Sequence, residues 1–167
     1  MRDLLKVRLG STGALACAGT MSIYRRKWPH IEEDGSSYFI TFQARDDLTL
    51  NDEAKWLVLD HCLYDDGKRY DLESVVVMST HVHLLLTPLP EGLGYFRLAT
   101  IMKGIKGTSS HSVNKLLRRR GSLWIDESFD HMIRSPEDFE DKAIYIAMNA
   151  VKNRGAESGA IWRNEAA

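Results

Sequence analysis

The chain has 167 residues, of which 44% are hydrophobic and 27% are charged, and its formal net charge is −1. A chain of this size and composition is expected to fold as one globular domain with its own core. The near-zero charge excludes a uniformly basic nucleic-acid-binding protein, so any basic surface has to come from local segregation of charge. The two cysteines, Cys17 and Cys62, have a spacing that fits no zinc knuckle. This argues against a disulfide framework and a structural zinc, and it predicts a reducing, cytoplasmic compartment.

The first twenty residues differ in character from the rest of the chain. They begin with a basic stretch and continue as LGSTGALACAG, which is too short and too rich in glycine and serine for the apolar region of a signal peptide. We therefore expect residues 1–20 to be a disordered leader or the product of an upstream start codon. Residues 21–155 are predicted to form a single domain, followed by a short tail at 156–167.

The first half of that domain contains a strand, a helix and two further apolar runs. Tyr38 to Ala44 (YFITFQA) is rich in aromatic and β-branched residues and is predicted to be the first strand. Asn51 precedes DEAKWLVLDHCL, whose apolar residues recur at helical spacing, so an N-capped helix is predicted to run to about Leu63. Leu72 to Met78 and His81 to Thr87 are separated by two residues, which indicates either an antiparallel hairpin or a strongly bulged single strand.

The second half begins with four apolar residues at helical spacing, namely Tyr95, Leu98, Met102 and Ile105. We expect this helix to be interrupted at Gly107 to Ser110 and followed by a second, basic helical piece from Val113 to Arg120. Ser122 to Arg134 is predicted to be a mixed loop and short strand. A last helix is predicted from the N-cap Ser135 to about Asn153. The resulting order of β, α, β, β, α, short β and α predicts an α+β fold.

Two histidines lie one residue apart within the apolar run VVVMSTHVHLLLTP. Successive side chains of a strand point to opposite faces, so His81 and His83 project to one side and Val82 to the other. Neutral imidazole is a common ligand of divalent metals, and a pair on one face of a strand supplies two of the three or four protein ligands that a site needs. The alternative is that both are ordinary surface or half-buried histidines.

A tyrosine and an asparagine stand one turn apart on the last predicted helix. Tyr145 and Asn149 are neighbours on the helix surface, away from the centre of its apolar stripe. A tyrosine hydroxyl can attack phosphorus, and an amide oxygen can bind a hard metal such as Mg²⁺ or Mn²⁺. Alternatively, Tyr145 packs at the edge of the core and Asn149 is a helix-end residue.

Three motifs, THVHLLLTP, LWIDESFDHMIR and YIAMNAVKNRG, occur in the order and spacing of one family. The chain resembles the REP-associated tyrosine transposases. These are small single-tyrosine HUH transposases, named after a histidine, hydrophobic, histidine motif that is matched here by THVH. The resemblance covers about Met21 to Gly155. It implies a ferredoxin-like antiparallel sheet with the histidine pair on a central strand and helices packed on the sheet.

The resemblance also implies a function and a set of site residues. Tyr145 would be the catalytic nucleophile, and His81, His83 and Asn149 would bind a divalent metal ion, Mg²⁺ or Mn²⁺. The implied reaction is metal-assisted cleavage and rejoining of single-stranded or hairpin DNA through a 5′-phosphotyrosine, in the cytoplasm of a bacterium. No membrane and no small-molecule cofactor would be involved, and the protein would be a monomer or a homodimer. The alternative is a catalytically inactive protein of the same fold that binds single-stranded nucleic acid.

The motifs depart from the family pattern at three positions. Ser79 and Thr80 stand where Pro-Asn is usual, and Ala150 replaces the proline of Asn-Pro-Val. Other histidine-based enzymes fit less well, because a histidine-triad hydrolase would have a third histidine at Leu85 and a two-histidine phosphodiesterase would need a second His-x-Ser/Thr motif. RNA-binding modules of this architecture carry stacking aromatic residues on two inner strands. The runs expected to form the inner strands here, VVVM and HVHLLL, contain no Phe, Tyr or Trp, so such a module fits less well.

The segment from Gly92 to Ile125 contains no Asp or Glu but carries several Lys and Arg residues. We expect it to hold phosphates of a DNA hairpin beside the metal site, while the alternative is a solvated helix face. The residues expected to bind DNA are Lys103, Lys106, Lys115, Arg118, Arg119 and Arg120, together with Arg134 and Lys152.

Overall fold

A six-stranded sheet organises the computed structural model, which describes residues 7–8, 21–25, 29–45, 47–152 and 160–164. The helices are α1 (Asp52–Leu63), α2 (Leu98–Leu116) and α3 (Pro136–Lys152). The strands are β1 (Val7–Arg8), β2 (Met21–Arg25), β3 (Pro29–Glu33), β4 (Tyr38–Ala44), β5 (Tyr70–Val77), β6 (His81–Pro88), β7 (Pro90–Glu91), β8 (Gly94–Tyr95), β9 (Trp124–Met132) and β10 (Ala160–Asn164).

The strand order of the sheet is β1-β10-β5-β6-β4-β9. All neighbours pair antiparallel except β1 and β10, which are parallel. The β2–β3 and β7–β8 pairs form two separate hairpins. Within the sheet, β5-β6-β4-β9 is the strand order of a ferredoxin-like fold, in which β4 and β6 are the inner strands. The expectation that VVVM lies on an inner strand is wrong, because β5 is an outer strand of these four. The α+β, ferredoxin-like prediction is therefore confirmed, with the histidine pair on a central strand.

The two faces of the sheet carry different helices. On one face, α1 and α2 cover a large apolar cluster that includes Val82, Leu84 and Leu86 of β6. On the other, α3 places Ala143 and Ile146 in a smaller cluster with residues of β4, β5 and β6. Since alternate residues of β6 enter opposite clusters, His81 and His83 lie on the α3 face. Each fully buried leucine contributes roughly 1.5–3 kcal/mol to stability, so this alternation fixes the strand's orientation.

The predicted β5–β6 pairing is a hairpin, with a register irregularity between Leu72 and Ser74. Ser-Thr is a poor turn pair, but hydrogen bonds from another part of the chain stabilise the turn here. The backbone carbonyls of Ser79 and Thr80 accept hydrogen bonds from backbone N–H groups that flank the β4–α1 connection, at 2.7 and 2.8 Å. The N-cap prediction is also confirmed, because the Asn51 side chain accepts a hydrogen bond from the backbone of α1 at 2.9 Å.

The predicted interruption of the second helix is wrong, because α2 runs continuously from Leu98 to Leu116. The hydroxyl groups of Thr108 and Ser109 donate to carbonyls one turn earlier, which satisfies them inside the helix. Ser109 is buried and also accepts a hydrogen bond from Nε1 of Trp124 at 3.0 Å. The predicted basic helical piece ends at Leu116 rather than Arg120, and Arg118 has a left-handed φ of 50°.

The predicted loop and short strand at 122–134 contain a nine-residue strand, β9, which pairs with β4. An irregularity between Phe42 and Ala44 shifts its register. As an edge strand, β9 has only Trp124 fully buried, so its sequence lacks the clear alternation that marks a strand. The last helix agrees with its prediction, because Ser135 Oγ accepts a hydrogen bond from the backbone N–H of Asp138.

Parts of the expected leader and tail belong to the sheet. Val7–Arg8 pairs with β10, which itself pairs with β5. Residues 1–6, 9–20, 153–159 and 165–167 lie outside the described residues, so the predicted domain boundaries at 20 and 155 fall there. In the part of the chain that the structure describes, no helix has the length and apolar character that crossing a bilayer requires.

Candidate metal and tyrosine site

The two histidines face α3 from the central strand β6. Their ring centroids are 4.7 Å apart, with the rings inclined at 71°. Because β6 is hydrogen bonded on both sides by β4 and β5, the backbone that carries the pair is held rigidly. The sequence prediction that His81 and His83 share one face is confirmed.

His83 is the more deeply buried of the two, with 6% of its surface exposed. Its Nδ1 is hydrogen bonded to the hydroxyl of Thr41 on β4 at 2.7 Å, and its ring stacks on Phe39 at 5.5 Å between centroids. The other ring nitrogen, Nε2, is buried and has no hydrogen-bond partner among the described residues. An unpartnered buried imidazole nitrogen is costly, and binding a metal ion would satisfy it.

His81 has a similar arrangement nearer the surface. Its Nδ1 is hydrogen bonded to the hydroxyl of Thr80 at 3.1 Å. Burial lowers the pKa of His81, and burial together with the charge of His81 lowers the pKa of His83 to about 4. Both imidazoles are thus neutral at neutral pH, and each has Nε2 as the nitrogen not engaged by threonine. This is the state in which histidine binds metals.

Tyr145 of α3 lies against His83, the inner member of the histidine pair. Its ring meets the ring of His83 edge-on at 5.2 Å and that of Phe39 at 5.8 Å, while 49% of the residue is exposed. The neighbouring Ala143 and Ile146 are buried under α3, which anchors the helix and directs Tyr145 to the margin of the cluster. The structure therefore brings a half-exposed tyrosine ring next to the neutral imidazole of His83.

Asn149 lies one turn beyond Tyr145 on α3. It is half-buried, and its amide nitrogen donates to the backbone carbonyl of Tyr145 at 2.8 Å. Within the described residues, no three His, Cys, Asp or Glu side chains come together as a metal site. A third ligand drawn from these residues, beside His81 and His83, would therefore be of another kind, and an amide oxygen is suitable for a hard divalent ion. Gln43, the pairing partner of His81 on β4, carries a second amide on this face.

Comparison with solved structures finds a REP-associated tyrosine transposase bound to a REP hairpin. Its TM-score is 0.60 and its sequence identity 24%, over 80% of this chain and 75% of that chain. A candidate transposase from Deinococcus radiodurans R1 has a TM-score of 0.48 and 19% identity, over 75% of this chain and 95% of that chain. No protein-family model matches the sequence, and neither does any curated protein. The fold is that of a REP-associated tyrosine transposase.

In this transposase fold, the acid-free segment from Gly92 to Ile125, here called the basic segment, packs on the sheet face opposite the histidine pair. The apolar side of α2 belongs to the cluster under α1 and α2, whereas Tyr145 and His83 lie on the α3 side. The expectation that the segment stands beside the metal site is therefore wrong, because the apolar face of α2 packs on the larger cluster, which lies on the other side of the sheet. Its role in DNA binding stays a prediction.

The cations of this segment fall into two groups. Lys106 donates to the carbonyls of residues 125 and 126 and to a serine hydroxyl, which ties α2 to β9. Arg119 is hydrogen bonded to the Asn114 side chain and to the Ser122 carbonyl. The remaining predicted cations of the segment are exposed, namely Lys103, Lys115, Arg118 and Arg120. Arg134 is exposed between β9 and α3, and the side chain of Lys152 lies outside the described part of the chain.

Sequence reasoning missed three residues around the site of this transposase fold. Phe39 and Thr41 contact His83 from β4, and the Nζ of Lys142 lies 5.7 Å from the Phe39 ring centroid. Lys142 is also 3.9 Å from the carboxylate of Asp138. The alternation in YFITFQA placed Phe39 and Thr41 on one face, but only the strand order shows that this face adjoins His83.

Proposed function

We propose that the protein is a tyrosine transposase of the HUH type, which cuts and rejoins single-stranded DNA with Tyr145 as nucleophile. The observation that carries this proposal is the contact between the exposed ring of Tyr145 and His83, whose buried Nε2 has no partner among the described residues. A phenol with no metal or base nearby would be a poor nucleophile. Here it lies beside His83, whose neighbour His81 offers a second neutral imidazole that could bind a metal ion.

The two neighbouring, neutral histidines fit a divalent metal ion, and we propose Asn149 of α3 as the third ligand. His81, His83 and Asn149 would hold Mg²⁺ or Mn²⁺, with the two histidines offering Nε2 and Asn149 its amide oxygen. When bound, the ion would polarise the scissile phosphate and stabilise the negative charge that develops on it. The hydrogen bonds between the Nδ1 atoms and the hydroxyl groups of Thr41 and Thr80 support this fit, since an Nδ1–H that donates to the hydroxyl orients each ring and leaves Nε2 unprotonated.

The proposed reaction is a transesterification. The Tyr145 oxygen loses its proton and attacks the scissile phosphorus, forming an oxygen–phosphorus bond as the bond from phosphorus to the 3′ oxygen breaks. The leaving 3′ oxygen gains a proton and becomes a hydroxyl, and the 5′ phosphate stays on Tyr145. One phosphoester bond replaces another, so the reverse attack by a 3′ hydroxyl rejoins DNA without ATP.

The site is built within a single chain. Tyr145 reaches the histidines from α3, and α3 packs on β5 and β6 of the same copy. We propose that the active site is self-contained and needs no exchange of helices between subunits. The solved relative was bound to a REP hairpin, and we propose hairpin DNA as the substrate of this chain as well.

A labelled hairpin oligonucleotide with a single-stranded flank tests the proposal. In the presence of Mn²⁺, we expect the wild type to give a covalent protein–DNA adduct and Tyr145→Phe to give none. Tyr64→Phe is the matched control, because Tyr64 is exposed just after α1, on the other face of the sheet. If the wild type gives no adduct but still binds the hairpin, the chain is an inactive DNA-binding protein of this fold.

The metal site has its own test, independent of cleavage. His83→Ala and Asn149→Ala should each weaken Mn²⁺ binding measured by calorimetry, because each removes one proposed ligand. His111→Ala is the control, since His111 is an exposed histidine on α2. Unchanged Mn²⁺ binding in His83→Ala would return both β6 histidines to an ordinary structural role.

A further inference from the structure

The strand register defines a row of side chains that extends from the histidine pair to the sheet edge. Thr41 on β4 is paired with His83 on one side and with Phe129 of β9 on the other. Residues directly opposite each other in antiparallel strands project to the same face. His83, Thr41 and Phe129 therefore stand side by side on the α3 face, and the outer two are separated by two interstrand spacings, roughly 10 Å.

Helix α3 covers only part of this face. Its buried residues pack with Phe39, Val76 and Leu85, over β5, β6 and one end of β4. Beyond them, Thr41 is half-buried, Gln43 is exposed and Phe129 is 62% exposed. We call the surface formed by Thr41, Gln43 and Phe129 the open sheet face. Although Phe129 lies in the middle of a strand, its ring packs in neither apolar cluster.

We propose that the open sheet face binds the nucleotide next to the scissile phosphate, with the ring of Phe129 stacking on its base. This inference rests on the proposed function, because the row begins at the histidines beside Tyr145. A single-stranded segment with its phosphate at Tyr145 would extend over this face, since α3 blocks the sheet on the other side. Aromatic stacking suits any base, so the contact would position the strand without reading its sequence.

The groups around the open sheet face agree with a nucleotide rather than an apolar partner. Gln43 offers an amide that can donate to and accept from a base edge or sugar. Lys142 stands where α3 borders this face, with its Nζ 5.7 Å from the Phe39 ring and 3.9 Å from the nearest Asp138 oxygen. That carboxylate already has a closer partner in His131 at 2.8 Å. The ammonium group can therefore turn to a phosphate at little cost.

The test measures the binding of a short single-stranded oligonucleotide to metal-free protein, so that its outcome does not depend on cleavage. Phe129→Ala should lower affinity by roughly five-fold or more, as expected for losing one stacked base. Phe129→Tyr should retain wild-type affinity, and Tyr64→Ala should also bind like the wild type. Because Tyr64 is likewise an exposed aromatic residue, it controls for the loss of a surface ring.

A second arm identifies the stacked base. An abasic site is introduced at one position of the oligonucleotide at a time. The abasic site next to the cleaved phosphate should weaken binding to the wild type but should leave binding to Phe129→Ala unchanged. Equal effects of every abasic site on both proteins would overturn the inference. So would a Phe129→Ala variant that changes the oligomeric state and leaves oligonucleotide affinity unchanged. Absence of a covalent adduct in the wild type, with the binding pattern intact, would instead count against the proposed function.

Discussion

Replacing Thr41 by valine removes one hydrogen bond and nearly nothing else. Valine has almost the shape of threonine, but its methyl group cannot hydrogen bond to Nδ1 of His83, which the Thr41 hydroxyl approaches at 2.7 Å. Since His83 is 6% exposed, water has little access to replace the lost partner. Thr41→Val therefore tests whether this hydroxyl sets the orientation and the tautomer of His83.

Two effects of different size are expected. Leaving a buried polar nitrogen without a partner costs about 1–3 kcal/mol of folding stability. For a chain of this length, each kcal/mol lowers Tm by roughly 2–4 °C, so the decrease should be on the order of 2–12 °C. Loss of an outer partner of a metal-binding histidine typically weakens metal affinity by about 10–100-fold. Mn²⁺ affinity should therefore decrease by a similar factor.

The assays are calorimetry with Mn²⁺, thermal unfolding without metal, and the nitrogen chemical shifts of His83 in the metal-free protein, which report its tautomer. Thr41→Ser keeps a hydroxyl and should recover most of the wild-type metal affinity. The reasoning is refuted if Thr41→Val binds Mn²⁺ as the wild type does, or if its His83 tautomer is unchanged. In that case the hydrogen bond supports only the packing of β4 against β6.

Three further changes test other parts of the structure. Lys142→Gln should weaken single-stranded DNA binding and flatten its dependence on log salt by roughly 0.7, the value for one phosphate contact, and an unchanged slope would separate this lysine from the DNA path. Replacing both Arg118 and Arg120 by alanine should flatten the salt dependence of hairpin binding if α2 contacts the duplex, whereas a wild-type slope would make the basic segment a solubilising surface. Ser109→Ala should cost about 1–3 kcal/mol in denaturant unfolding, because the buried Nε1–H of Trp124 loses its acceptor, and wild-type stability would contradict this role.

Local patterns predicted the parts of the fold that depend on near neighbours in sequence. The alternation around His81 and His83 placed both on one face, and Asn51 marked the start of α1 because a side-chain cap acts within one turn. The spacing of Tyr145 and Asn149 gave their proximity on α3. These inferences needed only strand and helix geometry, so they are confirmed without knowledge of the tertiary fold.

Features that depend on distant partners could not be obtained in this way. Ser109 looked like part of a helix break, yet it remains helical because its hydroxyl is satisfied by a carbonyl one turn earlier and by Trp124 of β9. Thr41 became relevant only once β4 was known to lie beside β6. The position of the basic segment depended on which sheet face α2 covers, and the charges alone do not specify a face.

Peptide mass mapping of the reaction products is the most direct measurement of the central claim. The protein is incubated with hairpin DNA and Mn²⁺, digested with nuclease and protease, and searched for a nucleotide linked through phosphate. We predict that the modified peptide contains Tyr145 and that the other described tyrosines remain unmodified. A phosphate-linked nucleotide on any other residue, or cleaved DNA with no protein attached, would contradict the assignment of Tyr145 as the nucleophile.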